Sequence, residues 1–141
     1  MSGTVQPAGM AIPEEFHDLF ERRTFAQFAT VMPDGTPQVT PVWIDYDTET
    51  EQLLVNTARG RRKERNVREN PKVGVSMLDP EDPYRYVSVR GRVVEVTEEG
   101  AVEHIDSLAR RYMDREEYPH HGDEQGPRVI IRVSTDRVAT S

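Results

Sequence analysis

Six basic side chains fall within sixteen consecutive residues of this chain. From position 56 to 71 the sequence reads Asn-Thr-Ala-Arg-Gly-Arg-Arg-Lys-Glu-Arg-Asn-Val-Arg-Glu-Asn-Pro, so Arg59, Arg61, Arg62, Lys63, Arg65 and Arg68 stand against Glu64 and Glu69 alone. The local charge is +4 in a chain whose total is −7, which leaves −11 for the remainder. Guanidinium and ammonium groups at that density hold anions, phosphate and carboxylate above all. The apolar run Leu53-Leu54-Val55 leads into the cluster and Pro71 ends the helix that follows, so the segment reads as a strand-to-helix junction. At such a junction the first helical N–H groups lack intrachain partners, and the helix dipole adds about half a positive charge. A phosphate suits that position. The competing reading is a solvated helix face.

The remaining elements must carry that junction. Pro13, Glu14 and Glu15 suit a first helical turn, and Ile12, Phe16, Leu19 and Phe20 recur at helical spacing. An apolar strand is expected over residues 25–32, a turn at Pro33-Asp34-Gly35-Thr36, and a second strand over 37–46. Further strands follow over 52–56, at Val73, Val75 and Met77, over 84–96 and over 128–133. Gly91 marks a bulge or bend in the longest of them. Thr97 is placed to cap a second helix, on which Ala101, Ile105, Leu108 and Tyr112 share a face, and a charged loop covers 114–126. Short strands joined by tight turns, with few helices, predict a mainly β, antiparallel barrel or sheet with peripheral helices rather than βαβ units.

Composition narrows the function. A chain of 141 residues forms one domain, with residues 1–10 expected as a disordered lead-in and 11–141 as the folded unit. There is no cysteine, which excludes disulfides, thiolate chemistry and zinc-finger sites and leans toward a reducing cytoplasm. No stretch approaches the ~20 apolar residues of a membrane span, and an acidic surface would repel a nucleic-acid backbone. Neither Gly-x-Gly-x-x-Gly nor a P-loop is present. His120, His121, Asp123 and Glu124 invite a metal reading, but the neighbouring Gly122, Gln125 and Gly126 favour a solvated loop, and no metal is expected. His17 and His104 read as surface residues.

Gly35-Thr36-Pro37-Gln38-Val39-Thr40-Pro41-Val42-Trp43, followed by Val55-Asn56-Thr57 and then by Arg61-Arg62-Lys63-Glu64-Arg65-Asn66-Val67-Arg68-Glu69-Asn70-Pro71, resembles the FMN-binding split-barrel superfamily. More narrowly it resembles the F420-dependent flavin/deazaflavin oxidoreductases, the pyridoxamine 5'-phosphate oxidase-like branch, in order over residues 12–134. The resemblance implies a six-stranded antiparallel split barrel, a homodimer, and an elongated cofactor site at the dimer interface. Gln38, Thr40 and Pro41 would line the flavin-like ring, with Val42 beside them, and Asn56 and Thr57 would meet the ribityl chain or phosphate. Arg61 and Lys63 would clamp the phosphate, Asn66 would support the turn, and Tyr84 or Tyr86 would approach the ring from the other subunit. Gln38 and Thr40 share a strand face with Val42, so they equally read as satisfying polar groups inside the barrel. The chain ends soon after its last strand, without the arginine-bearing C-terminal segment of the pyridoxamine phosphate oxidases proper, which argues against vitamin B6 as substrate.

Coenzyme F420 carries a carboxylated tail beyond its phosphate, and Arg59, Arg62 and Arg68 exceed the need of one phosphate, which favours F420 over FMN. Reduced deazaflavin delivers a hydride, and the protein then supplies orientation and exclusion of water. The expectation is a homodimeric cytoplasmic oxidoreductase that passes a hydride from F420 to an unsaturated or quinone-like small molecule, with Tyr84, Tyr86 or solvent as proton source. FMN-dependent chemistry on the same barrel and a non-catalytic carrier of F420 or another acidic tetrapyrrole or nucleotide-like molecule are the alternatives.

Overall fold

Residues 9–124 and 126–141 are described in a computed structural model of the chain. Period-two alternation of apolar residues produces strands β1 (Phe25–Val31), β2 (Pro37–Trp43), β3 (Asp45–Asp47), β4 (Gln52–Ala58), β5 (Lys72–Asp79), β6 (Asp82–Thr97) and β7 (Arg128–Thr140). Helix α1 (Arg62–Glu69) separates β4 from β5, and α2 (Ala101–Met113) separates β6 from β7. The segment Glu14–Phe20 forms a 3-10 helix that follows Pro13. No described helix is long and apolar enough to cross a membrane.

All strand pairs are antiparallel, and the sheet order is β2-β1-β5-β6-β7-β4-β3. Its two outermost strands, β2 and β3, are consecutive in the chain and separated by Ile44 alone. A sheet whose opposite edges meet through one residue is curled almost onto itself, which is the split-barrel architecture. Seven strands stand where six were expected, because the anticipated strand over 37–46 breaks at Ile44. The Ile44 N–H donates to the Tyr112 hydroxyl at 3.2 Å and its carbonyl accepts from Arg111 at 2.9 Å. Side chains of α2 therefore take the backbone groups that a strand neighbour would otherwise satisfy.

Apolar residues facing inward from six strands, among them Phe28, Val42, Leu53, Val75, Val89 and Ile131, join Phe16, Leu19 and Phe20 in one core. Strand β4 is buried on both faces. Leu53 and Val55 point into the barrel, whereas Leu54 packs with Ala101 and Ile130 under α2. Along α2, Ile105, Leu108 and Tyr112 form the buried stripe against which Trp43 packs. Gly91 lies at a shift in the β6–β7 register, and a Cβ there would meet the Ser134 carbonyl oxygen at 2.0 Å. Thr97 does not cap α2; its hydroxyl accepts from the Glu99 N–H, and Gly100, at φ +75°, occupies the cap position. Of the expected lead-in over 1–10, residues 1–8 lie outside the described residues, while Met10 donates its N–H to the Thr135 carbonyl at 2.6 Å.

Candidate functional site

The junction from β4 to α1 is shaped by an acid within the basic cluster. Gly60, at φ +94°, turns the chain, and its N–H donates to Glu64 at 2.8 Å. Glu64 is fully buried and accepts from Arg68 at 2.7 and 2.8 Å and from Arg59 at 3.3 Å. Burial alone would push its carboxyl up, but Arg68, the Gly60 N–H and Arg59 outweigh that and hold it below the usual range. Arg59 also pairs with Glu98 at 3.2 Å. Arg59 and Arg68 are thus counter-ions of the fold itself. Arg62 and Arg65 face a separate cavity of about 320 Å³ between α1 and the 32–35 turn.

The other two bases converge elsewhere. A second cavity of about 320 Å³ is lined by Pro41 and Val42 of β2, Asn56 and Thr57 of β4, and Arg61 and Lys63 at the start of α1. These six were all expected in the site from sequence. Phe25, Trp43 and Tyr118 supply aromatic lining, and Trp43, expected to serve core packing, also stacks on Tyr112 with ring centres 4.9 Å apart. The remaining expected residues lie apart from this cavity within the chain. Gln38 accepts from the Thr30 hydroxyl at 3.2 Å, and the Thr40 hydroxyl is buried without a hydrogen-bond partner among the described residues. Asn66 is buried and donates to Thr30 at 2.9 Å, which fastens α1 to β1. Tyr84 is 87 % exposed and Tyr86 37 %.

Sequence reading missed Arg128, whose position at the start of the last strand carries no local signal. Its side chain is 10 % exposed, its Nε donates to Asn56 Oδ1 at 3.0 Å, and its guanidinium lies 5.1 Å from the centre of the Tyr118 ring. Burial first, and then the nearby Arg61, pull Arg128 below the usual guanidinium range despite Tyr118 and Glu124. Lys63 is lowered in the same way, by burial foremost and then by Arg61. Among the described residues Lys63 forms no ion pair within 4.0 Å.

His104 is not the surface residue that its charged neighbours implied. Its side chain is 10 % exposed, with Nε2 3.0 Å from Asp45 Oδ2 and Nδ1 3.0 Å from Asn56 Nδ2. Asp45 also accepts from Arg111 at 2.9 Å. Burial would raise the Asp45 carboxyl, but His104 and Arg111 together bring it below its ordinary value. A continuous polar chain therefore runs Arg111, Asp45, His104, Asn56, Arg128 beneath the cavity. His120, expected in a solvated loop, lines the cavity beside Tyr118 and pairs with Asp123 at 3.1 Å. No group of three His, Cys, Asp or Glu residues among those described is arranged to hold a metal ion.

The site thus offers cations and amide groups beside a flat, largely apolar wall, a donor set suited to an anionic molecule with a planar aromatic part. A family model described as pyridoxamine 5'-phosphate oxidase matches residues 12–141. A solved structure described as an F420 reductase is 37 % identical, covers 91 % of this chain and 98 % of its own, and superposes with a TM-score of 0.75. A conserved hypothetical protein from Mycobacterium tuberculosis is 26 % identical over 97 % of this chain and 89 % of its own, at a TM-score of 0.70. A putative pyridoxamine 5'-phosphate oxidase from Listeria innocua shares the fold at 18 % identity, covering 90 % and 95 % of the two chains with a TM-score of 0.64. Among curated proteins none matches significantly.

Proposed function

The chain belongs to the pyridoxamine 5'-phosphate oxidase family, and from that premise we propose that it is an oxidoreductase that binds coenzyme F420 and passes a hydride between it and an unsaturated or quinone-like organic molecule. The observation that carries this reading is the convergence of Arg61, Lys63 and Arg128 on the cavity whose other wall is Pro41, Val42 and Trp43. The similarity to a protein described as an F420 reductase favours the deazaflavin over FMN. An adjoining space of about 340 Å³ shares His120 and Arg128 with the first cavity, and two adjoining spaces suit a long cofactor better than a compact one.

In this reading Arg61 and Lys63 hold the phosphate by charge-assisted hydrogen bonds, and Asn56 and Thr57 present polar groups to the linking chain. Pro41, Val42 and Trp43 bound the ring and exclude water from one side. The bound deazaflavin supplies the hydride chemistry. No side-chain nucleophile is required of the protein.

The working unit in this reading is a homodimer. Phe25, Val39, Leu78 and Tyr86 are exposed on one face, where Val39 pairs with Ala29 and Leu78 with Tyr86 in the register. A second copy covering that face would bury them and bring its Tyr84 or Tyr86 toward the cavity beside Phe25 and Trp43.

Fluorescence titration with F420 and with FMN tests the proposal, together with reduced-F420 turnover on quinone and enone acceptors and sedimentation for the dimer. F420 should bind more tightly than FMN, and Arg61→Ala and Lys63→Ala should each weaken it. Absence of binding to either cofactor, or affinities unaffected by both substitutions, overturns the assignment.

A further inference from the structure

One carboxylate approaches two of the cations that line the cavity. Glu124 Oε1 lies 3.4 Å from Arg61 Nη1 and 3.6 Å from Arg128 Nη1, so a single oxygen is shared by two guanidinium groups. Neither separation reaches the 2.7–2.9 Å expected of a strong charge-assisted pair. The contrast with Glu64, which takes the Arg68 fork at 2.7 and 2.8 Å, is clear. Arg128 in turn donates Nε to Asn56, and its Nη groups have Glu124 as their ion-pair partner among the described residues. Three cations, Arg61, Lys63 and Arg128, therefore surround one loosely held acid and leave a local charge of +2, inside a space that burial already makes unfavourable for them.

We infer that Arg128 is a third cation of the anion site and that Glu124 is a resident counter-ion, occupying the place of the ligand's phosphate and displaced by it. A phosphate has several oxygens where Glu124 presents one, so it can serve Arg61, Arg128 and Lys63 together at shorter distances. Burial keeps the Lys63 and Arg128 charges disfavoured even with Glu124 in place, which shows the acid compensates them incompletely. Glu124 also lines the adjoining cavity beside His120 and Arg128, two residues that line the first cavity as well.

The inference rests on the anion-binding part of the proposed function and is tested apart from the cofactor, with inorganic phosphate as probe in calorimetric and amide-shift titrations of the full chain. Glu124→Gln removes the competitor without altering size and should tighten phosphate by roughly threefold to tenfold, the scale of one or two partly exposed ion pairs. Arg128→Gln should weaken it at least tenfold, and the additional Glu124→Gln change should recover part of that loss by freeing Arg61. A damaged fold can only weaken binding, so the gain in Glu124→Gln separates displacement from structural disturbance. Equal or weaker phosphate binding by Glu124→Gln overturns the inference, as does unchanged binding by Arg128→Gln. Phosphate results as expected with no F420 or FMN binding would sink the cofactor assignment alone. F420 binding and turnover with Glu124→Gln unchanged toward phosphate would sink the counter-ion alone.

Discussion

The side-chain amide of Asn56 donates to Nδ1 of His104 at 3.0 Å, and its two other partners fix that direction. Arg128 can only donate, so Asn56 turns its oxygen there, and the Ala101 carbonyl can only accept, so the amide nitrogen faces it at 2.9 Å. The neutral imidazole must then carry its proton on Nε2, opposite Asp45. Nitrogen-15 shifts of His104 should report that tautomer at pH values where the ring is neutral, and a protonated Nδ1 would rule out the Asn56 amide as its donor.

Asp45→Asn should destabilise the protein by about 2 kcal/mol, the scale of a buried polar group left mismatched. An asparagine that still accepts from Arg111 would turn its NH2 toward His104, forcing the ring into the tautomer that Asn56 opposes. Urea unfolding measures the loss, and phosphate titration should show weaker binding through the loosened Arg128. Wild-type stability in this variant would remove the polar chain as a structural device.

Ligand affinity should fall on the alkaline side earlier than an ordinary lysine would dictate. Burial and Arg61 lower Lys63 in the free protein, and an anion binds its charged form, so the association constant is highest below that lowered value and declines as pH rises through it. Lys63→Arg should retain binding and lose the alkaline decline. A pH profile identical in the two proteins would assign the effect to another group.

Glu64→Gln should cost about 3 kcal/mol, because it leaves Arg59 and Arg68 without their buried partner and weakens the Gly60 cap of the turn. Thermal melts and exchange of α1 amides should show the helix loosening first. Phosphate affinity should drop with it, since Arg61 and Lys63 ride on that helix start. A melting curve unchanged from wild type would mean that Glu64 is incidental to the junction.

Acid should unfold the protein over a defined window. The Asp79 carboxyl is pulled down to about 2, chiefly by the Glu81 N–H and then by Arg85, and Asp18 is lowered in the same cluster by Arg85 and Arg22. A depressed carboxylate contributes stability that is complete above its unfolded value near 3.8 and is lost as pH falls through the folded value. The melting temperature should hold steady down to about pH 5 and fall steeply between about 4 and 2. Asp79→Asn should flatten that fall, and an equally steep decline in the variant would place the acid sensitivity elsewhere.

Much of the fold was legible because its signals are local. Alternation marked the strands, Gly91 marked the β6 irregularity, and Ala101, Ile105, Leu108 and Tyr112 marked the buried face of α2. The break at Ile44 was not, because its cause is a pair of α2 side chains sixty-seven and sixty-eight positions away. The same limit divided the site. Arg61 and Lys63 were visible as a charge cluster, but the assignment of Arg59 and Arg68 to a buried Glu64 depends on which side chains the turn encloses. Arg128 reaches the cavity, and His104 reaches Asn56 beneath it, only because β7 pairs with β4 and α2 packs over that pair.

Strand β2 forms one edge of the sheet and carries proline at positions 37 and 41, opposite Val31 and Gln27 of β1. Both fall on the alternate positions whose amide would point away from β1, so the outward rim withholds two of the donors that a foreign strand would need to zip on. The segment that borders the cavity is thereby guarded against strand-by-strand growth into fibrils.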